Sequence, residues 1–452
     1  MPRLHRVHEI ADLAAEAHPR SGADAARPRA LRPAAALLTM GLLLTGCAGT
    51  DGEQTEDGQS AGASTTQSSG AGASTTQASA SEGQGEGAAS VDPADFPASN
   101  TTGLTRMETL EGTGVVPKSV VSNQHGLMIT NNVTYRHNVI LFDTETREVV
   151  QALEDTVDTD AMGIEGLSGE VSGAPVEAAW TKDGQHAYVT QYGIYDVGTK
   201  PDDNCTAGSA IAPSLVYRYS VEEKNWDAAY RVGRVPKYVA LSPDDSRLLV
   251  TNWCDSNMTV IDTASGETEH TIPLDTMPRG IAVLPDNKTA YATAMWADKL
   301  YRVDLEAGTS ELVMHTGKNP RHLVLSPDGK TLYMTVAGAD QIVKLDAATG
   351  EVLDSAPAGD EPRSMDISPD GTALYVVNYH ASTVSKIDAE TLEVIDTAPA
   401  GVNTIGVTYD EPSGEVWVAN YGGTIDIYDD TDGAGPRAGG AAKASTDTAE
   451  DE

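Results

Sequence analysis

An all-β chain, folded as a seven-bladed β-propeller of four-stranded antiparallel blades, is predicted by three observations. Pairs of proline and a basic residue recur at Pro236-Lys237, Pro278-Arg279, Pro320-Arg321 and Pro362-Arg363, spaced by 42 residues each time. Each interval divides into four short apolar runs with no helical period. Asp-Gly turns, such as Asp328-Gly329 and Asp370-Gly371, separate the first two runs, which is a strong hairpin signal. A lone four-stranded sheet cannot bury both faces. Copies stacked side by side can, and closing the stack into a ring leaves only short protected edges.

The unit after Pro362 shows how the elements are read. Its strands are expected at Ser364 to Ser368, at Ala373 to Val377, in TVSKID and in EVIDTA, joined by Pro369-Asp370-Gly371, Asn378-Tyr379-His380 and Ala389-Glu390. The same pattern runs outward from it. Pro117-Lys118 opens a unit ending near Leu153. Ala174-Pro175 opens a second, which carries TKDG at Thr181 to Gly184 and an insertion from about Tyr192 to Ser214. Gly401 starts a last copy that reads VWVANYGGTIDIYDD and lacks its fourth strand. The segment Leu104 to Leu110, LTRMETL, is the expected replacement. The units number seven, the last completed by the N-terminal strand, and the propeller is assigned to 99–430.

The flanks have a different composition. Residues 1–47 read as a lipoprotein signal peptide: a basic segment, then the apolar run Ala34 to Gly46, then Leu44-Thr45-Gly46-Cys47 in the pattern of a bacterial lipobox. The apolar run is too short for a transmembrane helix, which needs about 20 residues. Lipid on Cys47 would anchor the chain to the outer face of the cell membrane, an extracytoplasmic location; a plain secretory signal is the alternative. The basic segment is long enough that translation could start downstream of Met1. Residues 48–98, rich in Gly, Ala, Ser, Thr and Gln with AGASTTQ duplicated, read as a flexible linker with a reach of roughly 40 Å. Residues 431–452 read as a disordered acidic tail.

The chain carries 67 acidic and 30 basic residues, a formal net charge of −37. That charge repels bulk nucleic acid and anionic lipid at long range. A monomer is expected. Of the three cysteines, Cys47 is assigned to lipid. Cys205, in the insertion, and Cys254, in a loop of the next unit, fall on the same face of neighbouring blades, and an oxidising compartment would pair them.

Strand direction sorts the loops. The loop opening each unit and the loop between its second and third strands share one face, the upper one. The residue after each opening proline starts the innermost strand, and around the ring these residues are Lys118, Val176, Lys237, Arg279, Arg321, Arg363 and Ile405. Five of the seven are basic in a strongly acidic protein, so a ring of cations at a channel mouth is a candidate anion site. Pairing with Asp360, Glu361 or Asp275 is the competing, structural explanation. Aromatic residues Trp253, Trp296, Tyr379 and Tyr421 occupy related upper loops with Tyr192 and His380 nearby, and aromatics with Arg are what binding surfaces concentrate. The Asn residues preceding several of them read as loop caps. His137, His322, His380 and Glu177 are candidates for metal ligation or acid–base work. No spacing among them is a metal motif, the chain has no Gly-x-Ser-x-Gly, His-Glu-x-x-His, phosphate loop or Cys-x-x-Cys, and no cofactor or catalytic residue is assigned.

The segments SPDGKTLYMTV, SPDGTALYVVN, VTNWCDSNMTVIDTASGE and VSKIDAETLEV resemble the YVTN-type repeats of the YncE-like β-propellers, over about Leu104 to Asp429. The resemblance implies a seven-bladed propeller, commonly exported, often a binding or scaffold domain. Related propellers include lactonases and streptogramin-type lyases, which use acid/Asn metal sites or a His/Glu pair in the channel. Here the ring positions hold Lys and Arg where a cation site needs carboxylates, which argues against a calcium-dependent lactonase. The function expected is therefore a surface-tethered binding propeller for an anionic small molecule, a polymer or an envelope protein. A lactonase-type hydrolase or lyase and a purely structural envelope scaffold are the alternatives.

Overall fold

Each of the seven units forms a four-stranded antiparallel sheet in the computed structural model, which describes residues 99–100, 102–112, 114–133, 137–195, 204–206 and 211–431. The innermost strands are Ser119–Ser122, Pro175–Trp180, Pro236–Leu241, Pro278–Val283, Pro320–Leu325, Pro362–Ile367 and Thr404–Asp410. Each contacts the innermost strand of the blade on either side, and Thr404–Asp410 contacts Ser119–Ser122, so the ring is closed. Blade 7 takes its outer strand from the start of the propeller: Thr105–Leu110 pairs antiparallel with Thr424–Asp429.

The repeated residues explain the repeated blade. In the Ser-Pro-Asp-Gly turn, the Ser326 hydroxyl donates to Asp328 and accepts the Thr331 N–H, while Gly329 takes a left-handed φ of 70° that a side chain would strain. Ser368, Asp370, Ala373 and Gly371 repeat this arrangement. At the turns between third and fourth strands, Asp346 accepts the N–H groups of Ala348 and Thr349, and Asp388 those of Glu390 and Thr391. The tyrosine in the second strand of a blade then ties it to the next, as in Ala290-Tyr291 and Leu332-Tyr333. Tyr291 donates to the Ala347 carbonyl and Tyr333 to that of Ala389.

Apolar packing lies between the blades. Seven clusters of buried side chains occupy the seven interfaces, one between each pair of neighbours. The closing interface sets Ile405, Trp417 and Ile427 of blade 7 against Val120, Met128 and Phe142 of blade 1. A buried polar clasp reinforces the closure on the side of blade 6. There the Lys386 ammonium, fully enclosed, bonds Asp430 at 2.6 Å and the Asn100 side chain at 3.0 Å. Tyr375 donates to the same Asp430 carboxylate, so one lysine and one tyrosine bind both the incoming and the outgoing chain.

Two features lie outside the repeat. Thr156–Asp158 and Glu170–Ser172 form a small hairpin between blades 1 and 2, in a segment that carries no repeat signature. Its Val157 and Val171 join the apolar cluster of those blades, which is why it folds there. In the insertion, Cys205 meets Cys254 with Cα atoms 5.0 Å apart and the sulfurs joined. The segment 1–47 with Cys47, the linker 48–98 and the tail beyond 431 lie outside the described residues. Among the described residues no helix is long and apolar enough to cross a membrane.

Pairing Cys205 with Cys254 closes a loop of 49 residues, worth about 4 kcal/mol in the chain-entropy model. Protein denatured without reductant is expected to show no alkylation at either cysteine by mass spectrometry, and full alkylation of both after reduction. Two labelled cysteines before reduction would contradict the bridge.

Candidate functional site

The channel mouth is built by a bulge repeated in every blade. Pairing of the first and second strands slips by one residue directly after the opening position: between Pro175 and Ala178, Pro236 and Tyr238, Pro278 and Ile281, Pro320 and Leu323, Pro362 and Met365, and Thr404 and Gly406. In blade 1 both Lys118 and Ser119 lie opposite Asn131. A bulge sets two residues against one and re-aims their side chains. As a result the second bulge residue joins the ring in blades 2, 3 and 5, as Glu177, Tyr238 and His322, whereas it is Gly280 in blade 4 and Gly406 in blade 7.

A belt of hydroxyls holds the bulges and stitches the blades. Thr190, Thr293 and Thr335 accept the N–H groups of Glu177, Gly280 and His322 within their own blades. Thr251 and Thr293 also donate to the Arg279 and Arg321 carbonyls of the following blade, and Ser119 donates to the carbonyl of Val176. At the bulge Gly280 has no room for a side chain: a Cβ there would stand 2.4 Å from the Arg321 carbonyl oxygen.

The expected cations converge. Lys118, from blade 1, interacts electrostatically with Arg279 and Arg321 from blades 4 and 5 on the far side of the ring, and with Glu177. Burial holds the Lys118 ammonium well below the ordinary lysine range, and Arg279 pushes the same way. Burial likewise lowers Arg321, assisted by Arg363 and Arg279, and lowers Arg279 against the opposing pull of Glu177. Exposure decides how these groups are to be viewed: Lys118 retains 8%, Arg279 9% and Arg321 7%. Among the described residues, the Lys118 ammonium and the Arg279 guanidinium have neither a hydrogen bond nor an ion pair, and the buried Arg321 Nε has no partner.

The other two cations are held in place. The Arg363 guanidinium bonds Glu361 through Nε at 2.8 Å and lies 3.3 Å over the Tyr379 ring. Glu361 also takes the His380 Nε2 and stands 3.8 Å from Arg321. Lys237 sits over the rings of Tyr192, at 4.2 Å, and Trp253, at 5.0 Å. Of the three acids expected to neutralise the ring, Glu361 does so in part, while Asp275 pairs with Lys299 at the blade edge. Among the described residues, Glu177 and Glu361 are the carboxylates set against Lys118, Arg279, Arg321 and Arg363.

The aromatic positions divide. Tyr192, Trp253, Met295, Ala337, Tyr379 and Tyr421 are equivalent: each N–H donates to the carbonyl of the residue before the opening position of its own blade. Trp253 is buried beside Cys254 and Met295, and Tyr379 and Tyr421 meet edge to face at 6.3 Å. Trp296 follows the Met295 position and stands 54% exposed, one residue out of register with the ring. The preceding Asn residues do cap their loops: Asn252 donates to Asn257 and Thr259, Asn378 to Thr383 and Ser385.

Sequence reasoning missed Tyr238, whose ring meets His322 edge to face at 5.3 Å from the second bulge position. Bulge geometry, rather than any motif, brings it to the axis. His322 itself is pushed down to about 3 by burial and then by Arg279 and Lys118, so the imidazole is neutral. His137 stacks on Tyr195 beside Asp155 and is not among the groups that interact with the ring. Among the described residues no three His, Cys, Asp or Glu side chains are placed to hold a metal ion. At the opposite end of the channel wall burial raises Asp366 to about 6, although it accepts the Tyr409 N–H, so the two ends differ in sign.

The fold and this mouth define a seven-bladed β-propeller with an inward cationic ring. Residues 218–352 match the family model of the YNCE-like beta-propeller, and residues 323–394 match that of the lactonase, 7-bladed beta-propeller. Both matches fall within the repeats and describe propellers, in keeping with the Ser-Pro-Asp-Gly units of this chain. Among solved structures it is similar to Kuenenia stuttgartiensis hydrazine synthase, with a TM-score of 0.55 and 18% identity over 70% of this chain and 96% of that one, a likeness of fold alone. No curated protein sequence matches the chain.

His322 has an unfolded value near 6.5 and a folded value of about 3, so between these the unfolded chain binds the proton more readily. Stability conferred by the neutral imidazole is therefore present above pH 6.5 and is lost as pH falls toward 3. Substitution His322→Gln is expected to flatten that slope by on the order of a few kcal/mol in urea unfolding followed across pH. An unchanged slope would place the acid sensitivity elsewhere.

Proposed function

We propose that the protein is a surface-tethered binding propeller that captures a small anionic ligand at its upper channel mouth. The observation that carries this reading is the meeting of Lys118, Arg279 and Arg321 at the axis, each more than nine-tenths buried, with the first two lacking a hydrogen bond or ion pair among the described residues. An isolated buried cation costs several kcal/mol and is retained where something else compensates it. Because the charges meet over the axis, a compact anion fits the mouth better than a polymer or a flat protein surface does. Lys237 and Arg363, with Tyr379, His380 and Tyr421, form the rim around it. Lipid on Cys47 and the linker 48–98 would hold this mouth clear of the outer face of the cell membrane, with no call for nucleic acid. The lactonase match over residues 323–394 favours a second reading, a hydrolase working through Glu177 and His322; turnover of a lactone panel that vanishes in Glu177→Gln would establish it in place of simple binding.

Isothermal titration of the propeller with phosphate and with sulfate is expected to show saturable binding of at least one of them. Arg279→Gln and Arg321→Gln should each weaken that binding by about tenfold or more, since each removes a charge-assisted contact in a desolvated site. Affinity unchanged in both variants would overturn the assignment.

A further inference from the structure

The mouth contains one group that an anion site does not need. Glu177 follows Val176 on the innermost strand of blade 2, and its N–H is fixed to Thr190 at the bulge. Its carboxylate interacts with Lys118, Arg279 and Arg321, yet none of their nitrogens comes within ion-pair distance of it among the described residues. Burial raises its proton affinity, and the three cations oppose that. Among the described residues no ion pair joins these opposite charges, although the Ser119 hydroxyl interacts with the carboxylate. Three basic side chains therefore meet one carboxylate.

We infer that Glu177 makes this mouth selective for a divalent oxyanion that carries its own proton, so that hydrogen phosphate is taken and sulfate is refused. The inference rests on the anion-binding reading above and specifies its ligand. Hydrogen phosphate presents three oxygens to Lys118, Arg279 and Arg321, and its hydroxyl donates to the Glu177 carboxylate. Sulfate has the same shape and charge but no proton, so it sets an oxygen lone pair against a half-buried carboxylate. A site built around one donor rejects the analogue lacking it far more strongly than size alone would, because the acceptor is left unpaired. The other upper-face acid, Glu361, does not serve this purpose, since Arg363 and His380 already occupy its oxygens. Neighbouring Ser119 donates its hydroxyl to the Val176 carbonyl and accepts from Asn131, and the same hydroxyl lies close enough to the Glu177 carboxylate to favour its charged form.

The test is titration calorimetry of the wild type and of Glu177→Gln with inorganic phosphate and with sulfate, in mildly alkaline buffer where phosphate is chiefly the monoprotonated dianion. Thermal melts of both proteins confirm that each is folded. In the wild type, phosphate is expected to bind at least about tenfold more tightly than sulfate. In Glu177→Gln, whose amide can donate to an oxygen, sulfate binding is expected to rise until the two affinities agree within about threefold. Equal affinities in the wild type would overturn the selectivity while leaving the anion-binding reading intact, and a preference that survives in Glu177→Gln would remove Glu177 from the account. Binding of neither ion would overturn both.

Discussion

Ring closure is the constraint on which the rest of the structure depends, because it forces like charges together at the axis. The opening residues of five blades are basic, and seven apolar interfaces fix where those blades stand. The closing interface alone gathers eleven buried apolar residues. At roughly 1.5–3 kcal/mol for each large side chain, that burial exceeds the several kcal/mol that one enclosed, unpaired cation costs. The apolar term wins, and Lys118, Arg279 and Arg321 stay near one another although burial and mutual repulsion all disfavour their charged forms. An open stack of the same blades would let these side chains spread into solvent.

The repeat made most of the fold legible. A period of 42 residues, Asp-Gly turns and a missing last strand are local features, and they led directly to seven blades closed by Leu104 to Leu110. The hydroxyl and carboxylate of Ser-Pro-Asp-Gly and the tyrosine of the second strand are repeated for reasons the hydrogen bonds now supply. The ring of opening residues was also readable, since one residue per blade in fixed register must share one radius. What the sequence could not show was the bulge. It sets Tyr238, which the sequence did not single out, in one tier with Glu177 and His322, which were candidates without a geometric reason. Simple alternation along a strand would have turned those residues away from the channel. Trp296 illustrates the opposite error: it is an aromatic next to the right position, but register gives that position to Met295. The hairpin of Thr156–Asp158 and Glu170–Ser172 belongs to no repeat and so left no periodic trace.

The site combines two kinds of cation. Arg363 and Lys237 are satisfied by Glu361, Tyr379, Tyr192 and Trp253, and they shape the rim. Lys118 and Arg279 have no such partners among the described residues, and Arg321 has only a distant one. The first group would be stable in any propeller of this design, whereas the second has a reason to be there only if something arrives to meet it. This division, more than the number of positive charges, separates a binding mouth from a run of basic residues inherited by repeat duplication. The carboxylate of Glu177 and the neutral His322 lie with these cations, in electrostatic reach of Lys118, Arg279 and Arg321.

The most direct test of that claim is the unfolding free energy of Arg279→Met in low-salt buffer without added anion, compared with the wild type. An unpaired buried guanidinium replaced by an apolar chain of similar length should make the free protein more stable, by about 1–2 kcal/mol, while the stabilisation that phosphate gives the wild type disappears. A variant that is less stable than the wild type, and still gains stability from phosphate, would show that Arg279 is a structural residue and that the mouth is not held open for an anion.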